Sequence, residues 1–187
     1  TAHPNFCIPP ESLFFVNLER KYGSSQDLNN QIDNFLTDIY ADRRFREWNI
    51  DREKLRENLT AQKPLNYSTA VATVYQTYIQ QFDGEADCWG DKNPWNIYHI
   101  ETILKYFPNA RLILIIRDLR AIYASLKRNE KKFAKTWKGA CIANVVATTQ
   151  QWQNLVEVIQ HYQNDQRFHI LFYEDLVTNP RRTPGSL

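Results

Sequence analysis

Five consecutive apolar residues, Leu112-Ile113-Leu114-Ile115-Ile116, run without a polar break and stop at Arg117-Asp118. A run this short and this apolar predicts a strand buried on both faces, as parallel strands covered by helices are. Phe168–Phe172 reads as the last strand, Phe6-Cys7-Ile8 is a brief apolar run stopped by Pro9-Pro10, and Cys88-Trp89 is a short strand candidate before Gly90. Helical spacing fills the intervals. Leu28, Ile32, Phe35, Leu36, Ile39 and Tyr40 recur at three- and four-residue steps behind Asp27. Val71, Val74, Tyr75, Tyr78, Ile79 and Phe82 repeat the pattern up to Asp83-Gly84, and Ile97, Ile100, Ile103, Leu104 and Phe107 form another up to Pro108-Asn109. Further helices are expected from about Arg120 to Lys127 and from about Phe133 to Tyr162, the longer one carrying Trp137, Cys141 and Trp152. Strands separated by helices predict an α/β fold with a parallel sheet and right-handed crossovers. Residues 24–82 read as an all-helical insertion packed on that sheet.

The strand ends carry the chemistry. In open α/β sheets ligands bind at the carboxyl ends of the strands. Arg117 stands at such an end, where its planar fork can meet phosphate oxygens and the next helix adds a positive amino terminus. Ser125 follows two helical turns later, where its hydroxyl can complete the site. Lys92, just after the Cys88-Trp89 strand, is a second cation. Together these residues point to a nucleotide-derived anion. The competing reading pairs Arg117 with a carboxylate such as Asp118 or Glu174, lets Ser125 merely pack, and pairs Lys92 with Asp91 at the surface.

Composition limits the partners. The 187 residues suffice for one domain with a sizeable core, and 43% hydrophobic content argues for folding rather than disorder. Lys and Arg total 23 against 21 Asp and Glu, so the net charge of +2 gives no support to nucleic-acid binding, and any anion site is local. Cys7, Cys88 and Cys141 show no metal spacing and read as buried reduced thiols; the four histidines are scattered, and no metal is expected. No apolar run approaches the roughly 18 residues of a membrane span, and no leader is legible. The chain therefore reads as cytoplasmic, while the sequons Asn58-Leu59-Thr60 and Asn66-Tyr67-Ser68 leave a Golgi-type lumen open. Oligomeric state is not legible.

An ordered set of four motifs resembles the sulfotransferase superfamily, enzymes that use 3'-phosphoadenosine 5'-phosphosulfate (PAPS), most of all its bacterial and carbohydrate-type branches. The set comprises His3-Pro4 with Pro10-Glu11-Ser12 and Phe14-Phe15; Gly90-Asp91-Lys92-x-Pro94; Phe107-Pro108-Asn109-Ala110 with Ile115-Ile116-Arg117-Asp118 and Ser125-Leu126; and Tyr173-Glu174-Asp175-Leu176-Val177 with Asn179-Pro180. The resemblance implies a P-loop-NTPase-like parallel sheet flanked by helices. It implies that Arg117 and Ser125 bind the 3'-phosphate and that Tyr173 approaches the adenine, unless Tyr173 only closes a strand in the core. Glu174 and Asp175 are expected to cap the following helix. Glu11 would be the base that takes the acceptor's proton, and Lys92 would stabilise charge developing on the transferred group. Glu11 also suits a helix start. The histidine of a Lys-x-His arrangement is absent, since Pro94 stands there. The acceptor would be a small molecule or glycan bearing a hydroxyl or amine, its pocket shaped by the helical insertion with Trp48, Tyr67 and Tyr75. The product of the donor is PAP.

Three departures matter. Leu119 and Ala121 replace a usual proline and aspartate, without removing a phosphate ligand. The Gly- and Ser/Thr-rich loop that holds the 5'-phosphosulfate should lie just before His3-Pro4, and the five glycines here are dispersed. The chain starts at Thr1, contains no Met and ends in a turn-rich tail. It thus reads as a single truncated domain over residues 1–187, with an open sheet edge and impaired transfer on its own. Two alternatives stand beside this: a nucleotide kinase, which would need a Gly-x-x-x-x-Gly-Lys-Ser/Thr loop, and a non-catalytic nucleotide-binding module.

Overall fold

The computed structural model describes residues 4–82, 84, 86–129 and 145–179. They fall into two compact units, Thr1–Pro108 and Asn109–Leu187. The α/β class expected from sequence is present. Among the described residues its strands form two parallel pairs, one in each unit.

In the first unit β1 (Phe6–Cys7) pairs with β2 (Cys88–Trp89), Phe6 opposite Cys88 and Cys7 opposite Trp89. Pro9 and Pro10 lack the N–H that would continue the ladder, so β1 stops there. The connection between these strands is helical: α1 (Phe14–Tyr22), a 3₁₀ turn (Asn29–Gln31), α2 (Ile32–Ala41), α3 (Arg43–Arg46), α4 (Arg52–Thr60) and α5 (Tyr67–Phe82). A second 3₁₀ segment (Pro94–His99) and α6 (Ile100–Tyr106) follow β2. Side-chain caps set several boundaries. The Asp42 carboxylate accepts from the Arg44 N–H at 2.9 Å, Asp51 from Lys54 N–H at 2.8 Å, and Asn66 from Thr69 N–H at 2.9 Å. Asn49, at φ 52°, makes the left-handed turn between α3 and α4.

The core of this unit is aromatic. Phe14 packs edge-on against Phe45 at 5.4 Å and Trp48 at 5.7 Å, and it meets Tyr75 at 5.6 Å. Tyr75 stacks flat on Trp89 of β2 at 4.2 Å, which ties the helical layer to the strand pair. Trp48, Tyr67 and Tyr75 are each 1% exposed. They are core residues and cannot line an acceptor pocket, contrary to the sequence expectation. Their bulk completes the apolar face that α1 and α5 present to each other. The thiols divide as well: Cys7 is buried, whereas Cys88, expected to be buried, is exposed. Cys141 lies outside the described residues.

In the second unit β3 (Leu112–Ile116) pairs with β4 (Phe168–Phe172) over its whole length, Leu112 opposite Phe168 and Ile116 opposite Phe172. β3 leads into α7 (Leu119–Arg128), α8 (Val145–Tyr162) precedes β4, and α9 (Tyr173–Thr178) follows it. The start of the long helix expected from Phe133, with Trp137, lies outside the described residues. β3 is not buried on both faces: Ile113 and Ile115 are 55% and 56% exposed. A two-stranded pair covers the alternate side chains Leu112, Leu114 and Ile116 better than these two, and an all-apolar strand does not disclose in advance which face is covered.

Candidate active site

The parallel register of β1 and β2 decides which side chains meet. Their carboxyl ends lie on one side, so residues a few positions past Cys7 and Trp89 converge. Glu11 and Lys92 do so: the Lys92 ammonium donates to Glu11 Oε1. The second carboxylate oxygen, Oε2, takes Arg44 Nη1 of α3 at 3.4 Å. Lys92 therefore pairs with Glu11 and not with Asp91. Glu11 does not cap α1 either. Leu13 holds the N-cap position without a side-chain bond, and Ser12 Oγ accepts from the Phe14 N–H at 3.3 Å.

The neighbours of Lys92 are engaged inward. Asn93 is buried; its Oδ1 accepts from the Trp95 N–H at 3.1 Å and opens the 3₁₀ segment, with Pro94 at its first turn. Asp91 Oδ2 accepts from Asn96 Nδ2 at 2.7 Å, while Oδ1 is buried without a partner among the described residues. Burial raises the Asp91 carboxyl above its ordinary value, against the opposing pull of Asn96 and Tyr75. Burial pushes the Tyr75 hydroxyl far up, and the Asp91 carboxylate adds to the rise.

The second unit holds the other three candidates. β3 delivers Arg117, and β4 delivers Tyr173 directly after its partner Phe172. Because Ile116 and Phe172 are paired, Arg117 and Tyr173 are next neighbours across the pair, and the guanidinium lies over the tyrosine ring at 4.6 Å. Tyr173 is 39% exposed, so it is not a core tyrosine. Among the described residues Arg117 makes no ion pair, and its Nε is buried without a hydrogen-bond partner. The carboxylates expected to compete for it are occupied elsewhere. Asp118 caps α7 through the Arg120 N–H at 2.7 Å and pairs with the Arg120 side chain at 2.7 Å, which holds its carboxyl down at about 2. Glu174 Oε1 accepts from the Asp118 N–H at 3.1 Å. Thus part of the positive amino terminus of α7 is already answered by Asp118. Ser125 sits two turns into α7, about 10 Å along its axis from Asp118 at 1.5 Å per residue, and is half-buried.

Each unit thus gathers a subset of the expected residues: Glu11 with Lys92, and Arg117 with Tyr173. Arg44 and its cap Asp42 escaped sequence reasoning, since nothing in Asp42-Arg43-Arg44-Phe45-Arg46 marks one arginine out. Both sequon asparagines have structural bonds: Asn58 Nδ2 donates to Thr77 Oγ1 and Gln80 Oε1, both at 3.0 Å, and Asn66 caps α5. Among the described residues no cluster of three or more His, Cys, Asp or Glu could hold a metal, and no helix is long and apolar enough to cross a membrane.

A solved sulfotransferase domain from the curacin biosynthetic pathway is similar in fold, with a TM-score of 0.52 at 15% identity. The likeness covers 98% of this chain and 64% of that one, so the chain spans about two thirds of that domain's length. No curated protein matches the sequence. The model of the sulfotransferase family matches residues 1–187, from one end of the sequence to the other, and the chain belongs to that family.

Proposed function

We propose that the protein transfers a sulfuryl group from PAPS to a hydroxyl or amine of a carbohydrate, lipid or small metabolite. The acceptor oxygen or nitrogen attacks sulfur, the bond from sulfur to the 5'-phosphate oxygen breaks, and PAP leaves. Glu11 takes the acceptor's proton. Lys92 turns from Glu11 to the transferring group, a move its exposure makes cheap, because surface ion pairs contribute only about 0–1 kcal/mol. Its charge is then spent where negative charge develops. Arg117 and Ser125 receive the 3'-phosphate, and Tyr173 supports the guanidinium and lies beside the adenine.

One observation carries this reading: a half-buried arginine at a strand's carboxyl end, stacked on Tyr173 and paired with no carboxylate among the described residues. Such a fork is prepared for an anion brought from outside. Calorimetric titration with PAP tests it. Arg117→Ala is expected to weaken PAP binding about ten- to hundredfold, since hydrogen bonds to charged groups contribute about 1.5–3 kcal/mol. Arg120→Ala, whose guanidinium already pairs with Asp118, should leave the affinity within about twofold, as a surface pair would. Equal PAP affinity in the wild type and Arg117→Ala refutes the assignment.

A further inference from the structure

The proposed base sits in an asymmetric setting. Its two carboxylate oxygens have different partners from different elements. Oε1 takes Lys92, which follows β2, and Oε2 takes Arg44 of α3 at 3.4 Å. Arg44 is itself held: Asp42 Oδ1 accepts from its backbone N–H at 2.9 Å, and Asp42 Oδ2 accepts from the hydroxyl of Ser12 at 3.0 Å. Ser12 is the residue next to Glu11 and is 2% exposed. The chain Ser12–Asp42–Arg44–Glu11 thus closes on itself. It fixes α3 against the segment that bears the base.

We infer that Arg44 is a positioning residue for Glu11. This rests on the reading of Glu11 as the base. When Lys92 leaves Oε1 for the transferring sulfuryl group, that oxygen is freed to accept the proton from the acceptor hydroxyl or amine. Arg44 keeps hold of Oε2 throughout, so the carboxylate stays aimed in one direction. Without it the carboxylate loses both of its charged partners at the moment it must act. The helical segment between β1 and β2 then does more than pack a core: through α3 it orients the reactive group.

The test uses the full-length protein and follows PAP release from PAPS with a hexose, a hexosamine, a primary alkyl alcohol and an aryl amine as acceptors. Arg44→Ala should lower kcat about tenfold or more, because small misplacements of a reacting group cost this much. The KM for PAPS should stay within about twofold, the donor being held elsewhere. Arg44→Lys should retain more kcat than Arg44→Ala, and low-millimolar guanidinium should restore part of the loss in Arg44→Ala. Should Arg44→Ala unfold, Arg44→Gln keeps the stem, removes the charge and is read in the same way. Wild-type kcat in Arg44→Ala while Glu11→Gln is inactive overturns the inference and leaves the base assignment standing. Equal loss in Arg44→Ala and Arg44→Lys, without guanidinium rescue, assigns a purely structural role and also overturns it. Full activity in Glu11→Gln, or no PAP release by the wild type, removes the underlying reading and this inference with it.

Discussion

Gly23 ends α1, and its replacement by alanine separates two effects of opposite sign. Its backbone, at φ −65°, suits any residue. On entropy alone Gly23→Ala would stabilise by about 0.4–1 kcal/mol. The space forbids it. A Cβ there would stand 2.2 Å from Tyr106 Oη and 2.6 Å from the Glu19 carbonyl oxygen. Tyr106 must withdraw, and its hydroxyl, shared between Glu19 Oε1 at 2.9 Å and the Gly23 carbonyl at 3.0 Å, loses both acceptors. That costs about 1 kcal/mol per bond. Its ring also leaves edge-on contacts with Tyr67 at 5.1 Å and Phe15 at 6.0 Å, each contributing about 0.5–1.5 kcal/mol. Subtracting the entropic gain, the net loss is about 3 kcal/mol. Urea unfolding should show a lower midpoint at unchanged slope. In a Tyr106→Phe background the nearest obstructing atom is gone, so Gly23→Ala should cost less there, leaving the clash with the Glu19 carbonyl. A Gly23→Ala protein as stable as the wild type, or more so, refutes the reasoning. The contact matters for the site because it joins α1, which follows Glu11, to α6, which follows Lys92.

Lys92→Ala should separate stability from activity. Its side chain is 69% exposed in the pair with Glu11, so the midpoint of unfolding should move by less than about 1 kcal/mol, while sulfuryl transfer falls by about a hundredfold or more; a large loss of stability with modest loss of rate contradicts the assignment. Asp91 predicts a pH dependence. Its folded carboxyl is raised above the ordinary 3.8 by burial, so the folded state binds the proton more tightly than the unfolded chain. Its contribution is favourable in acid and is lost as pH rises from that value through the raised one. The advantage in melting temperature of Asp91→Asn over the wild type should therefore grow from acid to neutral pH, and an advantage that shrinks over this range would reverse the sign of the effect.

Much of the scaffold was legible in the sequence, for reasons that differ by element. The bounds of β3 and β4 match the strands read from sequence, because Arg117 ends the first apolar run sharply and a turn precedes Phe168. The helix through Val71, Val74 and Tyr75 follows from its period, and Asn66 supplies its cap. α1 escaped notice because Leu13 gives no capping bond and Glu19-Arg20-Lys21 masks the stripe of Phe14, Phe15 and Tyr22. α4 hides for another reason: only Leu55 and Leu59 are buried in an otherwise charged segment. Arg117, Tyr173, Glu11 and Lys92 were each visible as candidates, and the strand registers brought them together in pairs. Which carboxylate each cation would choose was not visible. That depends on register and on α3, where Arg44 reaches Glu11 across 33 residues of sequence.

Radiolabelled sulfuryl transfer from PAPS, compared in the wild type and Glu11→Gln, tests the central claim most directly. Label should appear on an added hydroxyl or amine acceptor in step with release of PAP, and Glu11→Gln should slow that transfer by about a hundredfold or more while still binding PAP. An acceptor that stays unlabelled, or a Glu11→Gln protein that transfers at the wild-type rate, would contradict it.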